Sequence, residues 1–267
     1  MKLAITGGNG YIGTRLLEKL KNTQYEIDTY TLNNWDIKNS PTKIIKNIDC
    51  VVHLAGLVKV NESVEYPLDY YEVNTIGTAN VIKKFPNAKF IFASTGAAFN
   101  PTSPYARSKL AAEDIIKSLC NNYTIFRFFN IGGGQPTNPV GLHAATLKAL
   151  ETKEFIIAGS DWNTKDGTCV RDYVHVDDVC DGIIKAINSS SANSPFEPIG
   201  SGKEYTILEY INTFLKVNGS LFNIKHGPRR PGDNEESKLP FLSTFIEPKK
   251  TLEDIVRLDE NFLHKFR

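Results

Sequence analysis

The sequence predicts an α/β protein, a doubly wound parallel sheet followed by a smaller C-terminal lobe. Short apolar runs alternate with helix-period segments through the first 130 residues, the rhythm of strand–helix–strand crossovers. Those runs, such as Cys50–Leu54 (CVVHL) and Phe90–Ala93, are apolar almost throughout, as strands covered on both faces must be. Beyond residue 131 glycine and proline become frequent and the alternation lapses. That change marks a second lobe, with a cleft between the two at the carboxyl ends of the strands.

Each element has a local reason. Lys2–Thr6 is a short apolar strand ending in glycines, and Tyr11–Leu20 carries Ile12, Leu16, Leu17 and Leu20 at helical spacing. Glu26–Leu32 is a second strand. Asp36-Ile37 follow it so closely that the second crossover helix is missing. Cys50–Leu54 is a third strand, and Pro67–Lys84 a long helix with proline in its first turn. After the strand Phe90–Ala93, the spacing predicts a helix over Tyr105–Leu119, with Ser103 as N-cap and Pro104 at its first position. Thr124–Phe129 is the next strand. Residues 1–130 thus form one domain, to which 168–190 and the region near 196–200 contribute, and 131–267 form mainly the second lobe.

Composition excludes several classes. With 31 basic and 30 acidic side chains the net charge is +1, so there is no one-signed field to hold nucleic acid or a membrane surface. No run approaches the roughly 18 apolar residues of a membrane helix. The opening MKLAITGGNG is broken by glycine too soon for a signal peptide. Cys50, Cys120, Cys169 and Cys180 show no metal-ligand spacing and read as reduced thiols of a cytoplasmic protein without a metal.

The loop after the first strand, Thr6-Gly7-Gly8-Asn9-Gly10-Tyr11-Ile12-Gly13, contains Gly7-x-x-Gly10-x-x-Gly13 and opens the first helix. Glycine suits the tight turn, the approach of backbone to a pyrophosphate, and the contact of helix with sheet. The helix N-terminus adds free N–H groups for the anion. In this strand–loop–helix setting the motif indicates a Rossmann dinucleotide site. The second strand ends Thr31-Leu32-Asn33-Asn34, with neither a carboxylate for the adenosine ribose nor an arginine for a 2′-phosphate. Residue chemistry there leaves NAD and NADP both open.

Tyr105-Ala-Arg-Ser-Lys109 places a phenol and an ammonium at i and i+4, on one helix face. A lysine cation favours phenolate and lowers the pKa of a phenol otherwise too weak a base at neutral pH. His175 reads as a brace and cap at a helix start, and His53 as a core histidine.

With these motifs in place, the sequence resembles the extended short-chain dehydrogenase/reductases, and among them the UDP-galactose 4-epimerase-like nucleotide-sugar enzymes. The resemblance is carried, in order, by GGNGYIG (7–13), HLAGLVKVNESVEYPLDYYEVNTIGTANVI (53–82), FIFASTGAAF (90–99), SPYARSKLAAE (103–113), FRFFN (126–130), DGTCVRDYVHVDDVCDGI (166–183), PIGSG (198–202) and PRRPGD (228–233). It implies that Tyr105 is the general acid/base, that Lys109 binds the nicotinamide ribose and tunes Tyr105, and that Thr95 bonds the reacting sugar oxygen. It implies a cofactor site, NAD by family habit, formed by Gly7, Gly10, Tyr11, Ile12, Gly13, Asp36, Ile37, Leu54, Ala55, Gly56, Asn74 and Phe128 with Tyr105 and Lys109. Asn130, Arg171, Arg230 and Asp233 would hold the nucleoside diphosphate, the arginines through planar forks.

Departures from the pattern surround the sugar pocket. Only five residues separate Phe99 from Tyr105, and Phe99-Asn100 stand where a tyrosine and a glycine are usual. The aromatic often stacked on uracil aligns with Ala158. Gly96-Ala97 follow Thr95 where dehydratases carry an Asp-Glu pair, so no acid is placed to eliminate water. The resemblance thus implies a 4-epimerase acting through a transient 4-keto sugar. A nucleotide-keto-sugar reductase and a non-catalytic dinucleotide-binding sensor or scaffold are the alternatives. It also implies a homodimer paired through a four-helix bundle from Pro67–Lys84 and Tyr105–Leu119.

Overall fold

The structure, a computed structural model, describes residues 1–134, 141–190, 193–219, 221–230 and 233–266. The chain begins with β1 (Lys2–Thr6), α1 (Tyr11–Leu20), β2 (Glu26–Tyr30) and β3 (Cys50–His53). It continues through α2 (Val60–Glu65), α3 (Pro67–Tyr70), a π-turn (Tyr71–Ile76), α4 (Gly77–Lys84), β4 (Lys89–Thr95), a 3₁₀ turn (Gly96–Phe99), α5 (Pro104–Leu119) and β5 (Tyr123–Phe128). Then follow β6 (Asn130–Gly132), α6 (Gly141–Thr152), β7 (Glu154–Ala158), β8 (Val170–His175), α7 (Val176–Asn188) and β9 (Ser194–Ile199). The last elements are β10 (Glu204–Thr206), α8 (Ile207–Asn218), β11 (Asn223–Gly227), β12 (Glu236–Ser237), α9 (Leu252–Val256) and α10 (Glu260–Leu263).

Six parallel strands form the central sheet in the order β2-β1-β3-β4-β5-β9. The winding reverses between β1 and β3, so Thr6 and His53 end side by side at the switch point where open α/β sheets bind ligands. Alternate strand residues feed two cores. Leu3, Ile5, Val52, Ile91 and Phe126 pack with Leu16 and Leu20 of α1 and Val179, Ile183 and Ile187 of α7. Ala4, Val51, Phe90, Phe92 and Ile125 pack with Val81 and Ile82 of α4 and Ala112 and Ile116 of α5.

The predicted strands and helices of the first 130 residues are present, with ends displaced by one or two residues. The Pro67–Lys84 helix runs on without a break but widens to a π-turn at Tyr71–Ile76, and α2 precedes it. Residues 31–49 contain no helix. Ile37 and Ile48 from this segment enter the core instead, and Trp35 lies under the Lys84 ammonium at 4.7 Å. Within 168–190, α7 covers the central sheet, whereas β8 belongs to another sheet, flanked by β6, β10 and β12. Its own residues, VRDYVH, do not say with which strand β8 pairs.

The C-terminal elements enclose a core of their own, from Leu150, Phe155, Ile157, Tyr173, Tyr210, Phe214, Phe222, Ile255 and Val256. Among the described residues no helix is long and apolar enough to cross a membrane. No group of three or more His, Cys, Asp and Glu is placed there to hold a metal.

If side-chain burial in the core beside α4 anchors residues 31–49, Ile37→Ala should lower the unfolding free energy by about 2–5 kcal/mol. Denaturant titration checks this; a loss below about 0.5 kcal/mol would show that Ile37 does not anchor the segment.

Candidate active site

The glycine loop is shaped by contacts that admit no side chain. Gly7 has φ +73°, and a Cβ there would lie 2.7 Å from the Ala55 nitrogen. A Cβ on Gly13 would lie 2.8 Å from Gly8 Cα, and one on Gly10 3.2 Å from Gly7 O. Gly10 is the N-cap of α1 and offers no side-chain cap. The N-cap thus supplies no side-chain acceptor to the first N–H groups of this helix, which suits an anionic diphosphate. Ile12 packs against the α1-side core. The Tyr11 side chain turns inward, its hydroxyl donating to Gly133 O, so only its backbone is available at the loop.

Behind the loop a hydrogen-bonded chain crosses the switch point. Ala55 N donates to Thr6 Oγ1 at 3.3 Å, and Thr6 Oγ1 lies 2.6 Å from His53 Nδ1. His53 Nε2 lies 3.0 Å from Thr78 Oγ1, which donates to Asn74 O at 2.6 Å. Thr78 spends its one proton on Asn74, so it must accept from His53 Nε2–H. Nδ1 is then the acceptor for Thr6, which fixes the neutral tautomer. Complete burial pushes His53 down to about 3, in keeping with that state.

The chain ends in the π-turn, a feature frequent at functional sites. Asn74 there clasps Leu57 through both backbone groups, at 2.9 and 3.1 Å, and donates to Ser108 Oγ at 3.0 Å. Ser108 in turn donates to Tyr105 O at 2.8 Å. The clasp sets Gly56 so close that a Cβ would lie 2.8 Å from Asn74 Oδ1 and 3.1 Å from Lys109 Nζ.

Thr95 stands at the end of β4, Tyr105 in the first turn of α5, and Lys109 one turn on. All three are buried. Ser103 caps α5, its Oγ accepting from Ala106 N at 3.2 Å, with Pro104 at the first position. Burial raises the Tyr105 phenol, and the neighbouring Thr95 hydroxyl pulls the other way. Burial lowers Lys109 to about 8, against the opposing charge of Glu113. Lys109 Nζ donates to Ala93 O at 2.7 Å and lies 4.6 Å from the centre of the Phe92 ring. A phenol beside a hydroxyl, with a cation one helical turn on that stands against Gly56, is a set able to move a proton to and from a bound alcohol.

The other expected positions are spread more widely. Asp36 accepts from Lys38 N at 3.0 Å. The Ile37 side chain is buried against the place a Gly77 side chain would take, and its carbonyl accepts from Asn80 Nδ2 at 2.8 Å. Leu54 packs on the core and Phe128 stacks on Phe126. Asn130 donates to Asp172 O at 3.1 Å.

Arg171 does not pair with Asp172. Its guanidinium donates to Val170 O at 2.8 Å, Asn234 O at 2.9 Å and Glu235 O at 3.3 Å, whereas Asp172 holds Ser201 N and Gly202 N at 2.6 and 2.7 Å. Arg230 is exposed on the rim of a cavity of about 480 Å³ shared with Lys148, Phe155 and Ile156. Asp233 N donates to Arg230 O at 3.2 Å. Pro231 and Gly232 of the PRRPGD stretch lie outside the described residues. His175 caps α7, its Nδ1 accepting from Asp177 N at 3.0 Å.

Three residues at the site escaped the sequence reading. Glu113 is wholly buried and accepts from Arg127 Nε and Nη2 at 2.8 and 2.7 Å and from Ser94 Oγ at 2.6 Å. A signal was present. Arg127 interrupts an otherwise apolar strand, and Glu113 continues the face of Tyr105 and Lys109 at another interval of four.

Comparison with known proteins agrees with this geometry. Residues 3–199 match the NAD dependent epimerase/dehydratase family, and the chain belongs to that family. It is 30% identical to a UDP-glucose 4-epimerase of Halalkalibacterium halodurans, over 92% of this chain and 94% of that one. Among solved structures, the UDP-glucose 4-epimerase of Bifidobacterium longum, in complex with NAD+ and UDP, superposes with a TM-score of 0.83 at 26% identity, covering 96% of each chain. The UDP-Glc/GlcNAc 4-epimerase of Campylobacter jejuni gives a TM-score of 0.75 at 28% identity, again over 96% of each.

The buried histidines set an acid limit. Unfolded histidine takes its proton near 6.5, whereas burial holds His53 to about 3 and His143 to about 4. Their contribution is complete above pH 6.5 and is lost as pH falls below it, by up to about 1.4 kcal/mol per pH unit for each histidine. Urea unfolding at pH 7, 5.5 and 4.5 should show this slope, reduced in His143→Gln. An unchanged slope in that variant would contradict the assignment.

Proposed function

We propose that this protein is a nucleotide-sugar 4-epimerase that uses bound NAD to interconvert UDP-glucose- and UDP-galactose-type sugars. The observation that carries the reading is the convergence of Thr95, Tyr105 and Lys109 beside the glycine loop at the switch point. The names of its relatives supply the sugar class.

The glycine loop fits the diphosphate of a dinucleotide, because a Cβ on Gly7 or Gly13 would meet backbone and the N-cap of α1 carries no side chain to compete with the anion. Gly7, Gly10, Tyr11, Ile12 and Gly13 would hold that group through their backbone. Asp36, Ile37, Leu54, Ala55, Gly56, Asn74 and Phe128 would line the remaining length, and Lys109 would meet the nicotinamide ribose. When bound, NAD would supply reversible hydride-acceptor chemistry for C4 of the sugar.

Tyr105 as phenolate takes the proton of the 4-hydroxyl and later gives it back. Lys109 stabilises the phenolate by its charge, and Thr95 holds the sugar oxygen in line. Asn130, Arg171, Arg230 and Asp233 would hold the nucleoside diphosphate, and residues 131–267 would mainly form the substrate lobe. Gly96-Ala97 after Thr95 provide no acid for dehydration.

A second reading, reduction of a nucleotide keto-sugar, is favoured by one observation: residues 31–49 carry no crossover helix, a trimming shared by some short reductases of this kind. Purified protein should interconvert UDP-glucose and UDP-galactose, or their N-acetyl forms, without added reductant. Turnover that required stoichiometric NADPH and a keto-sugar would establish the reductase instead. Tyr105→Phe should lower kcat about 10²–10⁴-fold, and turnover at the wild-type rate would remove Tyr105 from the chemistry. With Lys109 lowered to about 8 and Tyr105 raised above the usual phenol value, the phenolate–ammonium form grows with pH up to about 8 and then levels off, so kcat should reach a plateau there; a kcat that keeps rising tenfold per pH unit through pH 9 would contradict the role of Lys109 as a cation.

A homodimer is supported by Val64, Leu68, Ile76 and Leu119, which leave 65, 74, 52 and 61% of their surfaces exposed on the helices α2 to α5 and the intervening π-turn. Sedimentation should give twice the chain mass, and Leu68→Glu should shift it to one; a wild-type monomer would contradict the pairing. A cytoplasmic setting is supported by four cysteines without disulfides.

A further inference from the structure

We infer that Ser94, Glu113 and Arg127 form a buried positioning clamp that holds Thr95 in register with Tyr105 and Lys109. The inference rests on the catalytic roles proposed above for those three residues.

Three consecutive residues at the end of β4 are each tied to α5. Ala93 O receives Lys109 Nζ at 2.7 Å, Ser94 Oγ donates to Glu113 Oε1 at 2.6 Å, and Thr95 neighbours the Tyr105 phenol. Tyr105, Lys109 and Glu113 are spaced i, i+4 and i+8, so they form one row along the helix. Ser94 and Glu113 thus lock the residue just before Thr95 to the row that carries the acid/base and its cation. The strand end cannot slide along α5 without breaking a charge-assisted hydrogen bond.

Arg127 completes the clamp. It binds both oxygens of Glu113, and its guanidinium lies against both the Phe99 and Phe196 rings, 4.5 and 4.6 Å from their centres. Phe99 ends the 3₁₀ turn whose N-cap is Thr95, where Thr95 Oγ1 accepts from Ala97 N at 3.2 Å. The ion pair therefore fixes both flanks of Thr95, Ser94 before it and the Gly96–Phe99 turn after it. Lys117 is a second cation near Glu113, at 3.5 Å.

Stability alone does not account for this arrangement. Buried ion pairs are often replaceable by apolar pairs of similar volume without loss of folding, whereas removing one partner is strongly destabilising. That asymmetry gives a test. The paired variant E113M/R127M should unfold no earlier in denaturant than wild type. Its kcat should nevertheless fall at least about tenfold with KM changed less than about threefold. Ser94→Ala, which leaves the ion pair intact, should lower kcat in the same direction with KM unchanged. Wild-type kcat in either folded variant would overturn the inference.

A sugar-independent readout separates this from the functional reading. In the NAD-loaded protein, phenolate absorbance of wild type minus that of Tyr105→Phe reports Tyr105, whose neighbours include Thr95 and Tyr70, with Lys109 one helical turn on. The same difference is taken for Ser94→Ala against S94A/Y105F. Its midpoint should rise by about one pH unit as the Thr95 hydroxyl leaves the phenol. An unchanged midpoint overturns the clamp. Absence of epimerase activity in wild type, with the midpoint still shifted, counts against the proposed function and leaves the clamp standing.

Discussion

The ends of β1 and β3 meet across a buried, neutral His53, and the site is arranged outward from that junction. Each group in the chain from Ala55 N through Thr6, His53 and Thr78 to Asn74 O has one direction in which it can donate. The imidazole is therefore held in one tautomer and one orientation. Protonation would place two donors where one donor and one acceptor are required, inside a core that also disfavours the charge. With the junction fixed, Gly7 can press against Ala55 and the loop takes its anion-binding shape. Asn74 then carries the constraint through Leu57 and Ser108 to the helix bearing Tyr105.

Burial sets the chemistry at that helix and also opposes it. It raises Tyr105 and lowers Lys109, so each is pushed toward its neutral form. In the proposed roles, the charges that favour phenolate would come from Lys109 and from the cationic nicotinamide of NAD. Such a site is sensitive to small displacements, because electrostatic help in a low-dielectric setting falls off with misplacement. The ties from α5 to Ala93, Ser94 and Thr95 resist those displacements.

Much of this was legible in the sequence, for local reasons. Gly10 before an apolar helical stripe marks the start of α1, and Ser103-Pro104 mark the start of α5. The closeness of Asp36 to the second strand revealed the lost crossover helix. The π-turn was not legible, because YEVNTI has the composition of an ordinary helix. Nor was the placement of β8, which depends on pairing with β6, β10 and β12 rather than on its own residues. Arg171 illustrates the same limit. Nothing in its local sequence shows that its guanidinium bonds the backbone of Asn234 and Glu235, bracing the segment that follows Asp233. The Glu113–Arg127 pair joins a helix to a strand, and only the oddity of an arginine in an apolar strand hinted at it.

The proposal that Tyr105 and bound NAD act together on C4 of a sugar makes the fate of one hydrogen decisive. Purified protein should be incubated with UDP-galactose deuterated at C4, without added cofactor, and the UDP-glucose formed examined by NMR. The expected result is product that retains the deuterium at C4, because the same hydride leaves and returns within one site. Product that has lost the label to solvent, or no product unless NADPH is added, would contradict the account.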